Sequence, residues 1–278
     1  MPRAIILCIL LWTVSGVVAQ EGIPPKFEAR IAEAVQELKA GNLDSAEKIF
    51  SDALRSGIKH PMIYHNLGII AVMRGNHSEA VTRFRQSLAL QPEDASSRLL
   101  LGSSLLALRK NAEAVKELKR AATRLPQEPQ VHLELGRAYE ASENWVAAVQ
   151  EFQTLVQLAP QDPEYSYQLC NAWTKLSDWS FRRIFALNPN SERLAQGLGL
   201  EYAAQGKYDL ALAAYREAAR FDPKMPEIHL AMAMILLETK KLNEALSEVE
   251  LELKLLPESK AALAAKQKIE AAKADSSP

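Results

Sequence analysis

The 278-residue chain carries 33 Lys and Arg against 34 Asp and Glu, so no whole-chain field draws it toward nucleic acid or an anionic membrane, and neither is an expected partner. With 48% apolar residues it can bury a substantial core. Only 11 glycines interrupt a composition dominated by alanine and leucine, which lose little rotamer freedom in a helix, so the expected class is all-α.

The chain opens with Arg3 and an apolar run from Ala4 to Val18, with small residues at Val17 and Ala19. This pattern reads as a secretory signal over residues 1–19, cleaved after Ala19, and predicts an exported protein, periplasmic or extracellular. An uncleaved anchor is the alternative reading, but the run is shorter than the ~20 residues a spanning helix needs, so no membrane span is expected in the mature chain. Leu7, not a small residue, precedes Cys8, which argues against a lipid anchor there. Cys170 is then the only cysteine left after processing, and stability has to come from packing and not from a disulfide within the chain.

After a lead-in over residues 20–26, a unit of about 34 residues repeats. From Pro61, Tyr64, Leu67, Gly68 and Ala71 share one helix, Gly75-Asn76 turn the chain, Ala80, Phe84 and Ser87 share a second helix, and Pro92 closes the unit. Residues three and four apart lie on one helix face, so each helix shows an apolar stripe with a small residue where the two axes cross. The same slots hold Ala34, Gly41, Ala46, Phe50 and Ala53 in a unit from Phe27. They hold Leu101-Gly102, Leu105, Ala114, Leu118, Ala121 and Pro126 from Ala95, and Leu135-Gly136, Tyr139, Ala148, Phe152, Leu155 and Pro160 from Pro129. From Glu192 they hold Leu198-Gly199, Tyr202, Gly206, Ala211, Tyr215, Ala218 and Pro223, and from Pro226 Met232-Ala233, Leu236, Ala245, Val249 and Pro257. Units are expected over 27–60, 61–94, 95–128, 129–162, 163–191, 192–225 and 226–258. Pro61, Pro129, Pro163 and Pro226 are placed to start first helices, Asp162 to cap one, and Asp44, Ser78, Asp209 and Asn243 to cap second helices.

The unit over 163–191 is several residues too short between Ser177 and Pro189 and lacks the early alanine of the second helix, which predicts either a shortened second helix or a displaced turn. After Pro257, residues 259–274 read as a capping helix with Ala262, Leu263 and Ile269 on one side and lysines among its polar positions, followed by a tail at 275–278.

On these slots the sequence resembles the tetratricopeptide-repeat family, in particular its secreted bacterial members, over nearly the whole chain after residue 19. The resemblance implies a right-handed superhelix of about seven helix-turn-helix repeats plus the capping helix, acting as a scaffold that binds a protein or peptide along a groove lined by first helices. The family's groove slots are the second, fifth, ninth and twelfth of each unit. They fall here on Ile31, Val35 and Leu38; His65, Ile69 and Val72; Leu99, Ser103 and Leu106; Leu133, Arg137 and Glu140; Tyr167, Asn171 and Thr174; Gln196, Leu200 and Ala203; and Leu230, Met234 and Leu237. The stripe is apolar at both ends, which suits an amphipathic helix or an extended apolar segment. Ile31, Val35, Ile69, Leu99 and Ser103 stand where some relatives carry the Lys and Asn that grip a terminal carboxylate, so that clamp is absent. Glu134 and Glu140 flank Arg137 at helical spacing and are expected to neutralise it.

Catalytic patterns are missing. The five histidines show no HExxH spacing, and no GxSxG, Walker or dinucleotide-binding fingerprint occurs, so neither enzyme activity nor a cofactor or metal is expected. The rival reading is an accessory subunit or unrecognised enzyme of envelope metabolism. Cys170 falls at a slot for small buried residues. Arg109, Lys110, Lys116, Lys119, Arg120 and Arg124 make the third unit basic, and Glu134, Glu140, Glu143 and Glu151 make the fourth acidic, a contrast that allows self-association. Asn76-His77-Ser78 has the form of a glycosylation acceptor and marks an exposed turn.

Overall fold

The computed structural model describes residues 23–275. The expected signal at 1–19, residues 20–22 of the lead-in and the last three tail residues lie outside the described residues. Fourteen helices and no strands are found among the described residues. In chain order they are α1 (Pro25–Ala40), α2 (Leu43–Arg55), α3 (Pro61–Met73), α4 (His77–Leu90), α5 (Ala95–Ala107), α6 (Asn111–Arg124), α7 (Pro129–Ala141), α8 (Trp145–Leu158), α9 (Pro163–Leu187), α10 (Glu192–Ala204), α11 (Tyr208–Phe221), α12 (Ile228–Glu238), α13 (Leu242–Leu255) and α14 (Lys260–Asp275). The fold is an all-α solenoid of helix hairpins, in two compact units that divide within α9 between Leu176 and Ser177.

Each hairpin closes on one device. The fifteenth residue of six repeats, Gly41, Gly75, Arg109, Glu143, Gly206 or Lys240, adopts a positive φ. Its N–H and that of the next residue turn back onto the first helix, as Glu143 N to Glu140 O and Asn144 N to Tyr139 O at 2.9 Å each. Left-handed backbone of this kind satisfies the carbonyls at a helix end, and it suits glycine best because other residues suffer a Cβ clash there. The second helix starts at once, so the residue after the turn is the cap. Asn76 accepts from Glu79 N and Asn144 from Ala147 N, both at 3.3 Å. The cap positions expected from sequence thus move two residues earlier, and Asp44, Ser78, Asp209 and Asn243 stand inside the first turn. Asp162 does cap its helix, accepting from Glu164 N at 2.9 Å, and Pro61, Pro129 and Pro163 begin theirs. Pro226 does not: Glu227 takes a positive φ and α12 starts at Ile228.

The hairpins pack on the small-residue slot. The Phe152 ring lies so close over Gly136 that a Cβ there would stand 2.5 Å from it, and Leu118 meets Gly102 in the same way at 2.4 Å. Phe50, Phe84, Leu118, Phe152 and Val249, each sixteen residues beyond its small partner, are completely buried. In the unit that ends at Leu176, one apolar cluster runs from Ile23 to Ala138 and a smaller one joins Leu133, Ala148, Phe152 and Leu155 to Ala172 of α9. In the unit that begins at Ser177, a separate cluster extends from Ala195 to Ile269, with Ala262, Ala265 and Ile269 of α14 closing it. Leu263, expected on that closing side, is exposed instead, because the buried stripe follows a three-and-four spacing that omits it.

Neither expectation for the short repeat survives. Residues 163–187 form one continuous helix of 25 residues with no reversal. The missing residues are those of the turn itself: where six repeats have a left-handed residue, this one has Ser177 in α-helical conformation, and a chain without that device continues its helix.

Candidate peptide-binding surface

Polar groups inside the hairpins limit what the first-helix face can offer. In three repeats the fourth residue of the unit is an arginine or histidine bound to a glutamate nineteen residues on. Arg98 donates to Glu117 at 2.7 Å and to the Pro92 carbonyl at 2.5 Å. His132 Nδ1 lies 2.8 Å from Glu151 and its Nε2 3.0 Å from the Pro126 carbonyl, while His229 Nδ1 lies 2.8 Å from Glu248. These groups tie a hairpin's helices to each other, and Arg98 and His132 also reach the proline that closes the preceding repeat. The partnership has a sequence signal, a basic or imidazole residue with Glu nineteen residues on.

His65 belongs to another network. Its Nδ1 lies 2.7 Å from Ser97 Oγ, Ser97 donates to Asp94, and Ser87 donates to the Pro61 carbonyl at 3.0 Å while standing 3.2 Å from Ser97. A His, a Ser and an Asp meet here, but Ser97 is fully buried and its hydroxyl has nothing to attack. Burial lowers the His65 pKa from its ordinary 6.5, with Asp94 opposing, and burial likewise lowers that of His60, whose Nδ1 accepts from Met62 N at 3.3 Å. A depressed imidazole is neutral when folded. As pH falls below 6.5 the unfolded chain takes up protons first, and stability present above that pH is lost on the acid side. The urea midpoint is therefore expected to fall between pH 7.5 and 5.5. The fall should shrink in a His60→Gln, His65→Gln variant; an unchanged pH dependence would show that other groups carry it.

The groove slots divide between the two units. Before Leu176, Ile69, Leu99 and Leu133 are buried, and His65, Val72, Ser103, Leu106 and Arg137 are half-buried. The sequence reading offered the first three to a ligand; neighbouring helices cover them, with Ile69 and Leu99 part of the core cluster. Arg137 donates to Glu134 at 3.2 Å, leaving Glu140 to Lys175 at 3.6 Å. On α9, Tyr167 and Asn171 are exposed. After Ser177 the face opens. Leu200 on α10 and Met234 on α12 occupy the ninth slot of consecutive repeats and are 66% and 43% exposed. Ala203, Leu230 and Leu237 beside them are half-buried. The apolar stripe is thus a surface in the second unit and mainly packing in the first.

A cleft of about 350 Å³ lies elsewhere, between α4, α5 and α6, floored by Leu88, Leu101 and Leu105 and rimmed by charges including the Arg85–Glu113 pair at 2.6 Å. Among the described residues, no group of three or more His, Cys, Asp and Glu could hold a metal, and no helix is long and apolar enough to cross a membrane.

A tetratricopeptide repeat model matches residues 31–95, 65–129 and 99–163, and a TPR repeat model matches residues 199–246. The chain belongs to the tetratricopeptide repeat family. No curated protein matches it significantly. Among solved structures it is similar to a tetratricopeptide repeat protein from Parabacteroides merdae, at 16% identity over 89% of this chain and 100% of that one, with a TM-score of 0.51. It is also similar to the C-terminal part of a TPR repeat-containing protein from Cytophaga hutchinsonii, at 17% identity over 84% and 98% of the two chains, with a TM-score of 0.50. At such identities the likeness is one of fold. Membership in the family makes the chain a scaffold for protein–protein interaction, a fold that is typically non-catalytic.

Proposed function

We propose that the protein is an exported adaptor that holds an apolar segment of another polypeptide on the first-helix face of its second unit, with Leu200, Leu230 and Met234 as the contact residues. The observation that carries this reading is the exposure of Leu200 and Met234 at one slot of consecutive repeats, where the first unit has buried Ile69 and half-buried, polar Ser103 and Arg137. Paired exposed apolar residues at one register of a helical array offer an amphipathic helix or extended segment a row of evenly spaced contacts. Export rests on the Arg3 and Ala4–Val18 pattern.

The test is affinity capture from the envelope fraction, comparing the chain with a Leu200→Glu, Met234→Glu variant. Both side chains are exposed, so the variant should keep its helical circular dichroism and lose the captured proteins; unchanged capture would reject this surface. Cell fractionation with N-terminal sequencing tests export separately. A mature end near Gln20 in the envelope supports it, and an unprocessed chain in the cytoplasm overturns it.

A further inference from the structure

The continuous helix α9 leaves two surfaces bare that every other repeat buries. In its first half, Cys170 occupies the slot held elsewhere by Ala34, Gly68, Gly102, Gly136, Gly199 and Ala233. All six are buried, yet Cys170 is exposed, and Trp173 one turn on is 48% exposed. In its second half, counted back from the closing proline, Ile184 occupies the slot of Ser87, Ala121, Leu155, Ala218 and Glu252. Those five are completely buried, yet Ile184 is 36% exposed and its neighbour Phe185 59%. Phe181, at the slot of Phe84 and Phe152, leans on Gly197 of α10 because no first helix of its own folds back to meet it. The first half lacks a second helix and the second half lacks a first one.

We propose that a second copy of this chain fills both positions: two molecules pair their α9 helices antiparallel, so that the Cys170 face of each takes the Ile184–Phe185 face of the other. Each copy thereby completes the fifth repeat of its partner. The two bare faces are complementary, with the small Cys170 side chain on one half of α9 and the large Ile184 and Phe185 side chains on the other. They occur once each per molecule, which is the composition of an isologous interface. Charge agrees. Glu164 is exposed near the start of α9, and Arg182 and Arg183 are exposed near its end, the ends that an antiparallel pair brings together. Loss of the residues that let a helical hairpin turn favours this exchange, because the same contacts remain available only between molecules.

Sedimentation equilibrium of the purified full chain in a Cys8→Ala background should give twice the chain mass, with Cys170 resistant to iodoacetamide. Ile184→Glu, a change at an exposed position, should give the single-chain mass with Cys170 labelled freely. A second variant inserts Arg-Gly-Asn-His-Ser, a copy of residues 74–78, between Lys175 and Leu176, which puts the glycine at the fifteenth place of the repeat. With its turn restored it should be a monomer whose Cys170 is protected within its own hairpin. A monomeric parent chain with reactive Cys170 would overturn the proposal, as would a dimer that survives either variant.

Discussion

Phe152→Ala is expected to destabilise the chain by about 3–5 kcal/mol, the range for removing a buried aromatic side chain whose site cannot collapse. The site has little freedom to do so, because Phe152 is completely buried with its ring against the backbone of Gly136, so both helices of the hairpin lose their contact at once. The converse change, Gly136→Ala, puts a methyl group 2.5 Å from that ring and should cost about 1–3 kcal/mol by overpacking. The decisive measurement is the double variant. Once the ring is gone the alanine methyl points into the vacated space, so Gly136→Ala should be neutral or mildly stabilising in the Phe152→Ala background. Guanidinium unfolding followed by circular dichroism measures all four corners of the cycle. An equal cost for Gly136→Ala in both backgrounds would show that helix propensity, and not the crossing contact, keeps glycine there.

This pair also shows what the sequence makes legible. A small residue and a large apolar one sixteen apart recur from Ala34–Phe50 to Ala233–Val249, and close axial approach requires that combination, so the hairpins could be read before any coordinates. The binding face is harder. Ile69 and Leu200 are both aliphatic residues at the ninth slot, yet one is buried and the other 66% exposed, because burial depends on how neighbouring helices cover that slot and residue type does not report this. The short repeat lies between these cases. Its shortage was countable, but its consequence turned on whether a left-handed residue remained to reverse the chain, and Ser177 stays helical once the surrounding turn is lost. Caps were misplaced for a related reason. A serine or aspartate signals a helix start, but here the left-handed turn fixes the start two residues earlier and leaves those side chains within the helix.

Glu252→Ala should cost about 2–3 kcal/mol, more than an alanine at a helical site usually costs, because it removes charge-assisted hydrogen bonds and leaves their part-buried donors without that partner. At the equivalent place three other repeats carry the apolar Ala121, Leu155 and Ala218, and one the small Ser87. Glu252 is nonetheless completely buried, and its carboxylate accepts from Glu227 N at 2.8 Å and Leu230 N at 3.3 Å. The need arises from the entry to α12. Glu227 lies left-handed and offers no side-chain cap, so the part-buried N–H groups of Glu227 and Leu230 need an acceptor from outside the first turn. A carboxylate reaching across from α13 supplies acceptors, and its negative charge suits the positive end of the helix dipole. Glu252→Gln keeps the acceptor oxygen but brings a buried amide donor, so it should fall between the parent and Glu252→Ala. Thermal unfolding gives the ranking, and amide exchange at Leu230 reports the site directly: exchange should accelerate in Glu252→Ala far more than at Leu212, which packs in α11. Were Glu252→Ala as stable as the parent, the start of α12 would have to find other partners for its N–H groups, and the carboxylate would be a passenger in the core.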